Sequence, residues 1–167
     1  AAGMALKVTT LKIVIYDAAE YDAKPATKIF KYGDKNILSY KLGTSLTDTA
    51  YTSCHVSYTD PDSKETIEYT YTPDSSAGTG QVLEINEKVR NTEEAKKLAK
   101  KRLREKNTQE FTASLKVVGD VSLVAGMTVK LKGFQKFDRK YKVTQAKHSL
   151  TGGYTVDLSL KQVLEGY

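Results

Sequence analysis

The chain has 167 residues, of which 40% are hydrophobic and 28% are charged, and its formal net charge is +6. This length predicts one domain, or one domain and a fragment of another, with a core that needs no disulfide support. Its one cysteine, Cys54, excludes an internal disulfide and a cysteine-based metal cluster, and no run of about 18 apolar residues is present to span a membrane.

The charge is unevenly distributed along the sequence. Residues 1–87 contain 8 Lys and Arg against 12 Asp and Glu, whereas residues 88–167 contain 18 against 8. A basic C-terminal half matches nucleic acid, a membrane surface or an acidic protein partner. A solvated basic helix with no specific partner matches it equally well.

An apolar segment this near the start of the sequence needs partner strands, which predicts further sequence upstream. Residues 5–17 contain two short alternating segments, which indicate a bent strand or a tight hairpin around Thr9 and Thr10. Residues 17–25 are polar and rich in alanine, as is typical of a connector.

The middle of the chain has the apolar–polar alternation of β-strands, rich in β-branched and aromatic residues. The turn sequence of residues 60–63 predicts a hairpin between the second and third of these strands. Asp60 and Asp62 in this turn could bind calcium, but a plain turn explains them better. Residues 74–80 are predicted to be a surface loop. The predicted strands are residues 38–46, 54–58, 67–71 and 82–85.

One helix is predicted at residues 91–106. Asn91 can cap its first turn, and Glu94 stands at the capping-box position three residues later. Acidic residues lie in the first turn and basic residues in the last, as the helix dipole favours. A narrow apolar stripe at helical spacing predicts that one side of the helix packs on a sheet. The stripe consists of Ala95, Leu98, Ala99 and Leu103.

The last third contains four alternating segments separated by glycine-containing turns. Gly119-Asp120, Ala125-Gly126 and Gly152-Gly153 mark the turns, the last of them a tight hairpin. Many short strands, one helix and no alternation of strands with helices predict a mainly β, β-rich α+β protein. Its expected architecture is an antiparallel β-barrel with one α-helix packed on its side. The predicted strands are residues 111–117, 128–132, 141–143 and 154–161.

Catalytic chemistry is not indicated, and we expect neither an enzyme nor a cofactor or metal site. The two histidines, His55 and His148, lie on different predicted strands, and His148 is expected to be structural. Cys54 and His55 are neighbours on a strand and therefore point to opposite faces, so they do not form a nucleophile–base pair. No serine elbow, glycine-rich phosphate loop or metal-ligand spacing is present.

The order of motifs after residue 90 carries a family resemblance. A Glu/Lys-rich helix over residues 92–104 is followed by Phe-Thr-Ala (111–113), Val-Gly-Asp (118–120), Leu123, Ala-Gly-Met-Thr-Val (125–129), Gly-Phe (133–134), Phe-Asp (137–138), Tyr-Lys-Val-Thr (141–144), His-Ser-Leu (148–150) and Gly-Tyr-Thr (153–155). In this order they resemble the C-terminal region of the phage late control protein D family, the baseplate hub proteins of contractile-tailed phages. The hub of type VI secretion spike proteins is related. The resemblance covers residues 90–164 closely and residues 34–72 more loosely.

The resemblance implies a barrel hub domain over residues 29–167 that includes the helix at 91–106, with residues 1–28 as the end of a preceding domain or a connector. It also implies a trimer of the full-length protein, with two similar barrels per subunit, bound to a tail tube protein and a spike protein. The expected location is the virion, in the tail baseplate, after assembly in the cytoplasm of the bacterial host. The structural motif residues are Gly119, Asp120, Gly126, Met127, Phe137, Tyr141, His148, Gly153 and Tyr154.

Two kinds of binding surface are considered. Protein–protein contacts through the helix and the strand edges are the preferred interpretation. The alternative is a nucleic-acid-binding, OB-like barrel that uses the basic half, although DNA passing through a tail would need only non-specific contact. The candidate stacking rings, Tyr69, Tyr71, Tyr141 and Tyr154, lie on apolar strand faces and indicate core packing. No membrane or small-molecule partner is expected. The candidate partner-binding residues are Lys97, Lys101, Arg104, Lys130, Lys132 and Lys142.

Overall fold

The computed structural model describes residues 4–8, 13–17, 22–45, 47–73 and 80–164, the first two ranges through their backbone. These ranges form eleven strands, β1–β11, and the 16-residue helix α1. The predicted mainly β, α+β class is confirmed. Contacts divide the described residues into two compact units. We call them the half-barrel unit (4–8, 13–17, 22–45 and 111–163) and the helical unit (47–73, 80–110 and 164).

The half-barrel unit is built on one curled sheet of six strands in the order β3-β9-β10-β11-β8-β4. Neighbouring strands are antiparallel except β3 and β9, which are parallel. A separate antiparallel pair, β1 (Met4–Val8) and β2 (Ile13–Asp17), agrees with the hairpin interpretation of residues 5–17. The strands of the sheet are β3 (Lys28–Lys31), β4 (Ile37–Thr44), β8 (Phe111–Val118), β9 (Thr128–Lys132), β10 (Lys140–Ser149) and β11 (Thr155–Gln162).

The core of the half-barrel unit follows from strand alternation. Every second residue of β8 and β11 is buried, with Leu115 and Leu158 directly opposite each other. Tyr141 is fully buried at the start of β10, and its hydroxyl donates to the Phe137 carbonyl at 3.1 Å. Burial raises the pKa of Tyr141 to about 12, so the hydroxyl stays neutral and remains a donor.

The helical unit contains β5 (Ser53–Thr59), β6 (Thr66–Tyr71), β7 (Val82–Ile85) and α1 (Thr92–Asn107). The predicted hairpin joins β5 and β6, and β7 lies parallel to β5 on its other side. The Asp60 carboxylate accepts the N–H groups of Asp62 at 2.9 Å and Ser63 at 3.1 Å, which supports the turn interpretation. Helix α1 packs against β5 and β6.

Side chains cap the first turn of α1. The Asn91 side chain accepts the Glu94 N–H at 2.9 Å, as predicted. The Glu94 carboxylate accepts the N–H of Arg90 at 2.8 Å, one residue before the capping residue that the capping box predicted. Ala95, Ala99 and Leu103 are fully buried along the predicted stripe, whereas Leu98 is only partly buried.

Three features differ from the sequence-based expectations. Strand β3 and the short 3-10 helix Gln135–Phe137 were not predicted as regular structure. Two strand pairs are parallel, β3 with β9 and β5 with β7, because neither pair is joined by a tight turn and other strands lie between their members in the sequence. The turn at Thr9 and Thr10 and the loop at 74–79 lie outside the described residues. The single hub domain over 29–167 stays a prediction, and its described residues divide between the two units.

Candidate assembly surfaces

The predicted structural motif residues all lie in the half-barrel unit, where Gly119 and Tyr154 are in direct contact. Gly119 follows β8, and its N–H donates to the Tyr154 carbonyl at 2.8 Å. A Cβ at position 119 would lie 2.1 Å from the Tyr154 ring. Glycine is therefore the residue that lets the tyrosine ring lie flat on the backbone at this turn.

His148 joins the same contact from β10. Its Nε2 donates to the Leu123 carbonyl at 2.9 Å, so Nδ1 is the acceptor for the Tyr154 hydroxyl at 2.8 Å. The two rings stack with their centroids 5.9 Å apart. Both ring nitrogens are engaged within the unit, an arrangement that suits a structural histidine. We call Gly119, Leu123, His148 and Tyr154 the turn cluster.

Other motif residues shape turns or fill the core. Gly126 and Gly153 have φ of 87° and 115°, values that side-chain-bearing residues rarely adopt. The Gly126 N–H donates to the Val143 carbonyl at 2.8 Å, and Met127 beside it is buried. Phe137 packs edge-to-face on Phe111 at 5.6 Å.

Asp120 lies at the seam, the gap between the edge strands β3 and β4. Its carboxylate forms an ion pair with Lys28 of β3 and accepts the Ser122 N–H at 2.9 Å and hydroxyl at 2.6 Å. The Lys28 ammonium, with these two donors, holds the pKa of Asp120 well below its usual range. A cavity of about 430 Å³ adjoins the ion pair. It is lined by Lys28, Phe30, Asn36, residues 117–121 and Tyr154.

The six predicted partner-binding residues are divided between the two units. On α1, Lys97 and Lys101 are exposed, and Lys101 lies 3.7 Å from Glu105. On the half-barrel sheet, Lys130 and Lys132 are exposed on β9. The remaining two are less available, since Arg104 and Lys142 are partly buried. Lys142 also binds the carboxylate of the buried Asp22 at 3.0 Å, so its charge is balanced within the unit.

The net charge is divided between the two structural units differently from its division between the two halves of the sequence. Segments 4–45 and 111–163 together contain 16 Lys and Arg against 7 Asp and Glu, a net charge of +9. Segment 46–110, which includes the basic helix, contains 10 against 12. The positive charge of this protein is therefore a property of the half-barrel unit.

The candidate nucleophile and its neighbour lie on opposite faces of β5. Cys54 is fully buried, and burial raises the pKa of its thiol to about 11. His55 is hydrogen-bonded to Thr70 through Nδ1 at 2.8 Å. Within the described ranges, no three His, Cys, Asp or Glu side chains are placed to share a metal ion. No helix among them is long and apolar enough to cross a membrane.

Sequence reasoning missed a cluster of aromatic rings at the seam. Tyr32 follows β3, Tyr40 lies on β4 and Phe134 follows β9, and their rings pack edge-to-face with centroids 5.3–6.2 Å apart. Tyr32 is 62% and Tyr40 is 47% exposed, whereas Phe134 is buried. We call these three residues the aromatic cluster. Phe134 belongs to the motif series of the family resemblance, but nothing in the sequence placed Tyr32 and Tyr40 against it.

The fold is similar to that of several tail proteins. The 43 kDa tail protein of prophage MuSo2 from Shewanella oneidensis has a TM-score of 0.73 and 18% identity, over 95% of this chain and 50% of that protein. The tail protein from Neisseria meningitidis MC58 has a TM-score of 0.67 and 15% identity, over 96% of this chain and 51% of that protein. Prophage tail protein gp18 from Listeria monocytogenes EGD-e has a TM-score of 0.58 and 11% identity, over 98% of this chain and 49% of that protein.

The chain thus spans about half the length of these structural relatives. At such low identity the likeness shows a shared fold. No curated protein has a matching sequence. A family model, described as YQBQ-like, matches residues 7–161, which is nearly the whole chain and most of both units. The chain therefore belongs to the YQBQ-like family.

Proposed function

We propose that this chain is a structural component of a phage or prophage tail baseplate hub, related to late control protein D. In this proposal it links the tail tube to the central spike through protein–protein contacts, and the full-length protein is a homotrimer. It is assembled in the host cytoplasm and resides in the virion.

The observation that carries the proposal is the fold shared with three tail proteins over 95–98% of this chain. Two properties of the site support it. The motif side chains hold turns together and leave His148 fully hydrogen-bonded within the unit. The thiol of Cys54 is buried and protonated at neutral pH.

The partner surfaces in this proposal are the exposed face of α1 and the outer face of β9. Lys97 and Lys101 project from the helix side opposite its buried stripe, and Lys130 and Lys132 alternate with buried residues of β9. Exposed lysines on both surfaces favour contact with complementary acidic surfaces.

The test measures assembly and fold separately. We expect the triple variant Lys97→Glu, Lys101→Glu, Arg104→Glu to keep its circular dichroism spectrum and to lose pull-down of the tube or spike protein of the same tail. The control is Lys88→Glu, an exposed reversal outside the helix. Full capture by the triple variant contradicts a role for α1. Light scattering on the full-length protein tests the trimer, and a monomer at all concentrations contradicts it.

A further inference from the structure

The outer face of the half-barrel sheet, opposite its core, carries nearly all the charged residues of that sheet. The six strands contain ten lysines, no arginine and one carboxylate, that of Asp157. Strand alternation and register place Asp157 and all of these lysines except Lys28 on the outer face. Seven of the nine outer lysines are exposed. We call these seven residues the lysine face: Lys31, Lys41, Lys116, Lys130, Lys132, Lys147 and Lys161.

The register of the sheet sets like charges directly opposite each other on this surface. Three pairs of register partners join lysine to lysine: Lys31 with Lys132, Lys130 with Lys140, and Lys142 with Lys161. Asp157 lies opposite both Lys147 and Lys116, so one carboxylate serves two ammonium groups. Like charges directly opposite each other lower the stability of a sheet. A bound polyanion would relieve this repulsion.

The two partly buried lysines of the outer face are held by the segment that precedes β3. Lys140 donates to the carbonyls of Asp22 and Lys24, and Lys142 donates to the Asp22 carboxylate at 3.0 Å. The seven lysines of the lysine face have no ion pair or side-chain hydrogen bond among the residues that the structure describes. Their ammonium groups are therefore available to an external anion.

The other side chains on this surface are mostly small and polar. On β8 and β11, Ser114 lies opposite Ser159, and Thr112 lies opposite Lys161. Lysine and hydroxyl groups are among the side chains that contact the phosphate oxygens of nucleic acids. The six strands place no arginine and no aromatic ring on the outer face, although these are the side chains that read base edges or stack on unpaired bases. The composition of the surface therefore suits phosphates and not bases.

We propose that the lysine face binds duplex DNA through its phosphates, without reading the base sequence. This goes beyond the tail role, in which Lys130 and Lys132 contact a protein. Lysine ammonium groups act on phosphates as point charges on flexible stems. Neighbouring strands lie about 4.8 Å apart, so the six strands span roughly 24 Å, the length of about seven base pairs. The net charge of +9 on segments 4–45 and 111–163 provides the long-range attraction.

An acidic protein fits the lysine face less well. Protein–protein interfaces are depleted of lysine and enriched in arginine and aromatic residues, the opposite of this surface. The exposed apolar residues that alternation places on the outer face, Ile29 and Val118, lie on the edge strand β3 and at the end of β8. The surface therefore has no apolar centre around which a protein interface would exclude water.

The test is fluorescence anisotropy of a labelled DNA duplex of about 20 base pairs, titrated with the 167-residue chain at several salt concentrations. We expect the double variant Lys31→Gln, Lys132→Gln to weaken binding at least about fivefold. It should also reduce the slope of log K against log salt by about 1.8, the value for two phosphate contacts on a duplex. Its melting temperature should not fall, because the substitutions remove a pair of like charges.

The matched control is the double variant Lys88→Gln, Lys96→Gln, which removes two exposed lysines of the helical unit. Weakening by this control equal to that by the first variant overturns the proposal and indicates binding by net charge alone. Absence of duplex binding at low salt also overturns it, as does tighter binding of an oligo(dT) of the same length. Loss of tail-protein capture by Lys31→Gln, Lys132→Gln with duplex binding unchanged overturns it as well, and leaves the proposed tail function standing.

Discussion

The Tyr154 ring occupies the volume that a side chain at Gly119 would need, since a Cβ at position 119 would lie 2.1 Å from the ring. The backbone hydrogen bond between the two residues fixes this approach at 2.8 Å. The end of β8 and the turn before β11 are thus joined by a contact that glycine alone permits.

We expect Gly119→Ala to destabilise the protein by about 1–3 kcal/mol, the usual cost of overpacking. The measurement is urea unfolding followed by circular dichroism. Removing the ring with Tyr154→Ala relieves the clash, so Gly119→Ala should cost much less in that background. An equal cost in both backgrounds would show that the ring is not the cause.

Positive φ gives a second test at Gly126 and Gly153, where φ is 87° and 115°. Valine is branched at Cβ and is strongly disfavoured in this region, so Gly126→Val and Gly153→Val should each lower stability by at least about 1 kcal/mol. The measurement is the melting temperature. Gly126→Asn is the comparison, because asparagine tolerates positive φ better than valine, and equal melting temperatures for the two variants argue against backbone strain.

His148 is predicted to be structural, and its two hydrogen bonds define what its loss should do. His148→Ala removes the bonds to the Tyr154 hydroxyl and the Leu123 carbonyl, so we expect a loss of about 1–3 kcal/mol. Tyr154→Phe removes only the first bond and should cost about 1 kcal/mol. Chemical denaturation of both single variants and the double variant measures their coupling. Strictly additive effects would mean that the two side chains act independently.

The sequence predicted most strands because their apolar and polar residues alternate, as in β8 and β11, where every second residue is buried. Strand β3 was not predicted, because a strand of four residues with one buried side chain, Phe30, is too short to show the alternation of buried and exposed residues. Its parallel pairing with β9 joins segments about a hundred residues apart, and no local pattern encodes such a partner. The turn cluster was predicted as glycine-containing turns, which are local. The contact between Gly119 and Tyr154 was not predicted, because this contact depends on how β8 pairs with β11.

The candidate surfaces show the same division. The lysines of α1 and β9 were predicted from alternation and helical spacing, and most of them are exposed. Lys142 was placed among them because the sequence does not show that Asp22 folds back to meet it. Tyr32 and Tyr40 were missed because an aromatic residue beside a strand resembles a core residue until the curvature of the sheet is known.

Asp120 gives a prediction with a defined pH dependence. Its pKa is lowered in the folded state, first by the Lys28 ion pair and then by the Ser122 hydroxyl and N–H. The stabilisation is therefore complete above the pKa of Asp in the unfolded chain, about 3.9, and is lost as pH falls from there toward the lower folded-state pKa. The stability difference between wild type and Asp120→Asn should be constant from pH 7 to 5 and shrink below about pH 4. Urea unfolding at each pH measures it, and a difference that persists unchanged at pH 3 contradicts the ionic origin.

Asn107 at the end of α1 provides the last test, in the helical unit. Its side chain is 3% exposed. The Oδ1 atom accepts the Tyr51 N–H at 2.8 Å, and Nδ2 donates to the Tyr51 carbonyl at 2.7 Å. The amide thus pairs with this backbone as a neighbouring strand would, and ties the helix end to the segment that enters β5.

Asn107→Ala leaves both backbone groups of Tyr51 without these partners, so we expect a loss of about 2–4 kcal/mol in the free energy of unfolding. Asn107→Asp keeps the acceptor but buries a carboxylate against the Tyr51 carbonyl, so at neutral pH it should be at least as destabilising as alanine. Hydrogen exchange at the Tyr51 amide reports the contact directly. Unchanged protection in Asn107→Ala would show that the Tyr51 N–H is held by something other than this side chain.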